Sequence, residues 1–260
     1  MGFLELSRRV IPDKPRRAMA KQVRRYRNRR AKGDEIRELW NRGVSEEIEY
    51  WRNWIATRGA GNDQDYEVRM SSTSPLQDYI RRLLPDASAQ VKLLDVGAGP
   101  VTSLGKTWAG HEVEIIAVDA LAHQYTALFD EMGVSPPVAT RFCHSERLAD
   151  SFDADTFDLV LACNTLDHSY DPMLAIQQML TITHPGGVVL LEHHPNEAEN
   201  EGYTGMHQWN MDVVDGECII WRPGVRLSIT DVLGSVASIT GTKDPAARGF
   251  GLVTMTITKR

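Results

Sequence analysis

Leu93-Leu94-Asp95-Val96-Gly97-Ala98-Gly99-Pro100 is the stretch that decides the fold. An apolar run closes on an acid, two glycines make a tight turn, and Pro100 is suited to the first position of a following helix. Glycine adopts backbone angles closed to other residues and lets main chain approach a ligand closely. Taken alone, a G-x-G pair is weak evidence, and the third glycine of a dinucleotide fingerprint is missing, with Val101 or Thr102 in its place. The next apolar run, 113–118, strengthens it by ending in Asp119, where an acid can take both hydroxyls of a ribose. The two elements together predict a nucleoside-containing ligand. The plainer alternative is a turn pair with a capping acid.

Working outward, short apolar runs at 91–96, 113–118, 157–163 and 187–191 alternate with segments of helical period. Near-continuous apolar strands separated by helices predict a parallel sheet covered on both faces. Asp171-Pro172 reads as a helix cap followed by proline at the first helical position. Beyond Gly216 strands are expected at 217–222, 225–229, 236–241 and 251–258, with a hairpin turn at Pro223-Gly224. The expected fold class is α/β: a Rossmann-like, doubly wound, mostly parallel seven-stranded sheet. A helical N-terminal extension (1–70) precedes the main domain (71–260), which carries an extra C-terminal β-hairpin.

In the extension, residues 16–32 read as a basic helix. A short helix follows from Asp34, with Ile36, Leu39 and Trp40 on one face and Gly43 ending it. Ser45 then caps a second helix striped by Ile48, Trp51, Trp54 and Ile55. Residues 59–65 read as a loop, and Pro75 as the start of a helix ending near Leu84.

Charge is unevenly spread. The formal net charge is -6, yet residues 7–33 hold twelve Lys or Arg against Asp13 alone, a local +11 over a remainder of -17. This predicts either a basic arm for an anionic partner or an arm folded back on an acidic body. Composition is that of a globular protein, 42% apolar and 25% charged, with no apolar run long enough to span a bilayer. Residues 1–15 lack an apolar core, so no secretory signal is expected. Cys143, Cys163 and Cys218 form neither a zinc pattern nor a disulfide framework. Those features together predict a cytoplasmic protein.

The chain resembles the class I S-adenosylmethionine-dependent methyltransferases over roughly residues 75–260. LLDVGAGP (93–100) is similar to that family's first motif, and AVDA (117–120) to its ribose-binding acid. FDLVLACNTLDHSYDP (157–172) is similar to its fourth-strand block, and HPGGVVLLEHH (184–194) to the turn and fifth strand. The resemblance implies S-adenosylmethionine as cofactor, with Asp95, Gly97, Gly99, Asp119, Ala120, Ser145, Glu146 and Asn164 around it. Ser145 and Glu146 fall where the adenine is held, beside His144, which stands where an aspartate is commoner. A nicotinamide dehydrogenase would require the missing third glycine and a hydride-handling constellation.

Methyl transfer to a hydroxyl requires proton removal as oxygen attacks. In the resembled fold the fourth and fifth strands are neighbours, which brings Asp167 and His168 near Glu192, His193 and His194 at the ligand-binding edge. His168 is the leading candidate base, oriented by Asp167 or Glu192; His194 is second and His144 third. Asp167, Glu192 and His193 form a candidate Mg²⁺ set. The polar stretch 192–211, with Tyr203 and Trp209 embedded, suits a hydroxyl-rich ligand or is a surface loop with buried aromatic anchors. The whole arrangement is similar to bacterial saccharide O-methyltransferases, including the mycobacterial methylmannose polysaccharide type. The rival expectations are an RNA 2'-O- or rRNA methyltransferase using the basic arm, and a non-catalytic cofactor-binding subunit.

Overall fold

The computed structural model describes Asn28 and residues 31–85 and 88–260. The expected basic helix at 16–32 lies almost entirely outside the described residues.

Seven strands form one sheet in the order β3-β2-β1-β4-β5-β10-β9. Its parallel part comprises β1 (Gln90–Val96), β2 (Glu112–Asp119), β3 (Thr140–Phe142), β4 (Phe157–Cys163) and β5 (Thr183–His193). The last strand, β10 (Leu252–Lys259), inserts antiparallel between β5 and β9 (Ala237–Asp244). Alternate residues of each central strand sort into two cores, as the pleat requires. Leu93, Leu159, Leu161 and Leu190 pack with Leu76 and Ile80 on one face. Leu94, Val160, Ala162 and Leu191 pack with Ala175, Ile176 and Met179 on the other. Burial on both faces explains why these strands read as unbroken apolar runs.

Six α-helical segments frame the site. The N-terminal pair is α1 (Asp34–Ala56) and α2 (Asp63–Met70). A single turn, α3 (Asp78–Arg81), precedes β1; α4 (Ala122–Met132) follows β2; and α5 (Pro172–Ile182) follows β4. Asp171 caps α5 by accepting from the Leu174 amide at 3.0 Å. A short helix, α6 (Glu197–Asn200), follows β5. A separate antiparallel sheet is inserted before β9, in the order β6 (Asn210–Val214), β7 (Glu217–Arg222), β8 (Val225–Ser228). The hairpin expected around Pro223-Gly224 is thus two strands of three. The sequence reading missed β6, whose first residues lie in the stretch taken for loop.

Four local expectations are corrected. No helix follows Pro100: residues 97–111 lead from β1 to β2 through turns and isolated bridges. Gly43 does not end a helix: α1 runs unbroken for 23 residues, and Ser45 lies inside it. A Cβ at Gly43 would stand 2.6 Å from both the amide nitrogen and Cγ of Met206, so the glycine admits a neighbouring chain. Helix α2 begins inside the expected loop, capped by Asn62, which accepts from the Asp65 amide. The helix expected from Pro75 shrinks to α3, because Pro75 instead bridges to Thr107. Helices α1, α2 and α4 share a third core in which Trp54, Ile55 and Tyr66 meet Leu121, Tyr125 and Phe129. Among the described residues no helix is long and apolar enough to cross a membrane.

Gly43→Ala provides a test in which two effects oppose. Helix propensity alone would stabilise the variant by about 1 kcal/mol. The clash with Met206 main chain should outweigh this and leave a net loss of about 1–3 kcal/mol in urea unfolding. A gain in stability would mean that α1 and the Met206 loop can separate without cost.

Candidate active site

The sheet order reverses between β1 and β4, and at that switch the carboxyl ends of the parallel strands open into a cavity of about 410 Å³. Every residue proposed above as cofactor-binding or as a candidate base lines it. Helix α1 forms the opposite wall through Trp40, Glu47, Tyr50 and Trp51, while Trp54 is buried in the core.

On the β1–β2 side the backbone is shaped for close approach. Gly97 and Gly99 have φ of 67° and 62°. A Cβ at Gly97 would overlap the Thr165 hydroxyl, and one at Gly99 would lie 2.6 Å from the Trp51 ring. Asp95 is buried and fixes the turn, accepting from Thr102 Oγ1 at 2.6 Å and the Ser103 amide at 3.3 Å. Burial raises its pKa. Asp119 accepts from the amides of Gly99 (3.1 Å) and Leu121 (2.8 Å). A carboxylate has about four acceptor positions, so two remain for ligand hydroxyls. Burial is the main influence on Asp119 and pushes its pKa up to about 6, against those two amide bonds. Arg69, which donates to Asp65 and to the Val101 carbonyl, lines the cavity together with Asp95, Asp119 and Glu47. A glycine cradle, a ribose-type acid and a predominantly acidic wall fit a cationic nucleoside such as S-adenosylmethionine.

Other expected contacts are engaged within the protein. Glu146 accepts from the Tyr170 and Asp171 amides and from Ser145 Oγ. Asn164, at φ 48°, accepts from the His194 amide and so ties the ends of β4 and β5 together. Ala120 contributes to the wall beside Asp119. His144 sits among Trp40, Phe142 and Tyr170, at ring separations of 5.4–6.2 Å, and its pKa is lowered by burial.

The β4 side holds a cluster that sequence reasoning only half identified. After β4 a helical turn (Leu166–His168) presents Asp167 and His168. The Asp167 carbonyl accepts from the Gln208 and Trp209 amides, which draws the distant loop onto this turn and delivers His207. His207 Nδ1 lies 2.7 Å from Asp167 Oδ2 and 3.0 Å from His168 Nε2, and the latter is 3.4 Å from Asp167 Oδ2. Burial opposes protonation of His207, but the hydrogen bond and charge of Asp167 prevail and raise its pKa to about 9. Burial likewise favours a neutral Asp167, yet the two histidines outweigh it and hold the carboxyl well below its usual range. His194 is placed apart from this cluster, its Nδ1 against the Gly251 carbonyl at 3.1 Å.

One expectation fails, and one open alternative is decided. Glu192 and His193 do not line the cavity. Glu192 accepts from Tyr79 OH, and His193 is buried, with its pKa lowered to about 4 by that burial. Strand alternation places them on opposite faces of β5, so they cannot share an ion with Asp167 as the Mg²⁺ set required. Tyr203 and Trp209 are 1% and 8% exposed and are anchors of the core, not ligand platforms. The stretch 192–211 instead lines the cavity through His194, Glu197, Met206 and His207.

Residues 67–227, well over half of the chain, match the family described as "Methyltransferase domain". The chain belongs to that family. No curated protein matches the sequence. Among solved structures, Haemonchus contortus phosphoethanolamine N-methyltransferase 2, in complex with phosphomonomethylethanolamine and S-adenosylhomocysteine, is 12% identical. The match covers 86% of this chain and 60% of that one with a TM-score of 0.54, a likeness of fold. The CurJ carbon methyltransferase is 14% identical over 68% of this chain and 50% of its own, with a TM-score of 0.47. The carbon-methyltransferase domain of the citrinin polyketide synthase is 14% identical over 69% and 48%, with a TM-score of 0.46. The chain thus spans about half the length of these last two. The seven-stranded sheet is the Rossmann-like methyltransferase fold that the sequence predicted.

The Asp119 environment predicts a pH dependence. Ribose hydroxyls donate to a carboxylate and lose a partner when it is protonated. Affinity for S-adenosylhomocysteine should therefore rise as pH climbs through about 6 and level off above it. Asp119→Ala should weaken binding at pH 7.5 by about 1.5–3 kcal/mol and flatten that profile. An unchanged profile in calorimetry would remove Asp119 from the cofactor site.

Proposed function

We propose that the chain is an S-adenosylmethionine-dependent O-methyltransferase acting on a hydroxyl of a saccharide, with the Asp167–His168–His207 cluster at the acceptor end. One observation carries this reading: a single cavity joins the glycine turn and Asp119 to that cluster. The cofactor supplies an electrophilic methyl group. The protein must then hold the acceptor oxygen in line and take its proton.

The geometry favours His168 for the proton. His207 Nδ1 is committed to Asp167, and Asp167 itself is held ionised by the two imidazoles. His168 stands at the cavity wall, 16% exposed and steadied by the pair behind it. His194 is the reserve, since a proton on Nδ1 facing the Gly251 carbonyl leaves Nε2 as an acceptor. His144, enclosed by aromatic rings on the β3 side, fits a role in cofactor packing better than one as a base.

The saccharide class is supported by the chemistry of the wall around this end. Glu197, Asn164, His194 and His207 offer acceptors and donors to hydroxyl groups, and the Trp40 and Tyr170 rings offer apolar faces. The narrower proposal of a mannose-containing polysaccharide rests on the sequence resemblance alone. The basic arm supports RNA as the rival acceptor.

The test is transfer of a labelled methyl group to glycans, small hydroxylated metabolites and RNA offered in parallel. Label in a glycan is the expected result. Label in RNA, with binding that weakens steeply as salt rises, would replace the saccharide reading, and tight cofactor binding with no turnover would replace the enzyme by a binding subunit. His168→Ala should lower turnover about 10²–10⁴-fold with cofactor affinity intact. Full activity in that variant would move the base to His194.

A further inference from the structure

Three polar atoms converge in the cluster, and protons cannot satisfy all of their contacts. Asp167 Oδ2, His168 Nε2 and His207 Nδ1 are separated by 2.7, 3.0 and 3.4 Å. A proton on His207 Nδ1 can lie on the line to Asp167 or the line to His168, not both. A proton on His168 Nε2 would face either His207 Nδ1 or an oxygen 3.4 Å away. A cation at the common centre meets all three lone pairs at once.

The dimensions suit one. With metal–ligand distances of about 2.1 Å, a point exists equidistant from the three atoms, lying about 1 Å out of their plane and seeing them at angles of about 80–110°. That is a facial arrangement, with the opposite positions left open. Among the described residues these three form the group of His, Cys, Asp and Glu side chains whose ligand atoms all lie within 4.8 Å of one another. All three line the cavity, so the open positions fall where an acceptor oxygen or water would sit. Two imidazoles with one carboxylate select zinc, iron, cobalt or nickel over the all-oxygen ions magnesium and calcium.

We propose that Asp167, His168 and His207 form a divalent transition-metal site at the acceptor end of the cavity. The site is fixed from behind, since the Asp167 carbonyl holds the Gln208 and Trp209 amides and thereby sets the His207 main chain. Binding of the ion is independent of the methyl-transfer reading; its role rests on that reading. With the ion in place an acceptor hydroxyl is acidified by coordination and His168 is a ligand, whereas in the ion-free protein His168 takes the proton directly.

The test uses the full-length untagged chain, stripped with chelator and dialysed, with no cofactor present. Titration with Zn²⁺ should show about one ion bound per chain, weakening as pH falls because imidazole ligands must be unprotonated. Co²⁺ should give the visible absorption of a low-coordinate nitrogen–oxygen site, and Mg²⁺ should give no comparable heat. His207→Gln and Asp167→Asn should each weaken Zn²⁺ binding by at least about tenfold. Retained affinity for S-adenosylhomocysteine in each variant serves as the check that it is folded. Absence of Zn²⁺ binding by the parent chain, or binding unchanged in folded His207→Gln, would overturn the site and leave the methyltransferase reading intact. Zn²⁺ binding by a chain that fails to bind S-adenosylhomocysteine would uphold the site and sink the cofactor reading.

Discussion

The site depends on one close approach, that of the turn after β1 to the start of the turn after β4. Gly97 presents only a hydrogen where any side chain would overlap Thr165. Parallel strands β1 and β4 are adjacent in the sheet, with Val96 opposite Ala162, so the chains leaving them must diverge or touch. They touch at Thr165, and the crevice opens immediately beyond. From that contact follow the left-handed Asn164, which bonds the His194 amide, and the helical turn that displays Asp167 and His168. A larger residue at position 97 would push these two turns apart and disturb both ends of the cavity together.

The second constraint is longer in range. The loop after α6 reaches back to the Asp167 carbonyl and is itself held by buried polar groups. Asn210 bonds the Tyr203 hydroxyl, and the Tyr203 carbonyl accepts from Asn28. On its outer side Met206 meets Gly43 of α1. One loop therefore carries His207 to the cluster and braces the helix that walls the cavity. Its polar composition reflects this internal bonding as much as any ligand.

These two constraints differ in how far they could be read from residues. The glycine turn, the acid closing β2 and the apolar runs are local patterns, and the turn and the acid fall at the ends of β1 and β2, although no helix follows Pro100. The same holds for Asp167 and His168, a few residues past β4. His207 was invisible because its partner lies forty positions away and the join is made by main-chain bonds, which leave no compositional trace. Tyr203 and Trp209 left two readings open because an aromatic ring in a polar stretch is equally compatible with stacking on a ligand and with anchoring a loop. Gly43 misled because helix-breaking preference, about 1 kcal/mol, is smaller than the packing it permits. The Mg²⁺ set failed on strand parity: adjacent residues of β5 cannot both face one ion, so Glu192 and His193 could not have served together.

The electrostatics of the cavity bear on turnover as well as on binding. Asp95, Asp119, Glu47, Glu146, Asp167 and Glu197 line it, against Arg69 and the His207 imidazolium. Such a wall attracts a cationic cosubstrate, and low-dielectric walls focus the field within the crevice. Methyl transfer from a sulfonium removes one positive charge and leaves a neutral thioether. The same wall therefore holds the spent cosubstrate less firmly than the fresh one. An acidic pocket in an acidic body thus discriminates between the two by charge, without a separate contact to the sulfur.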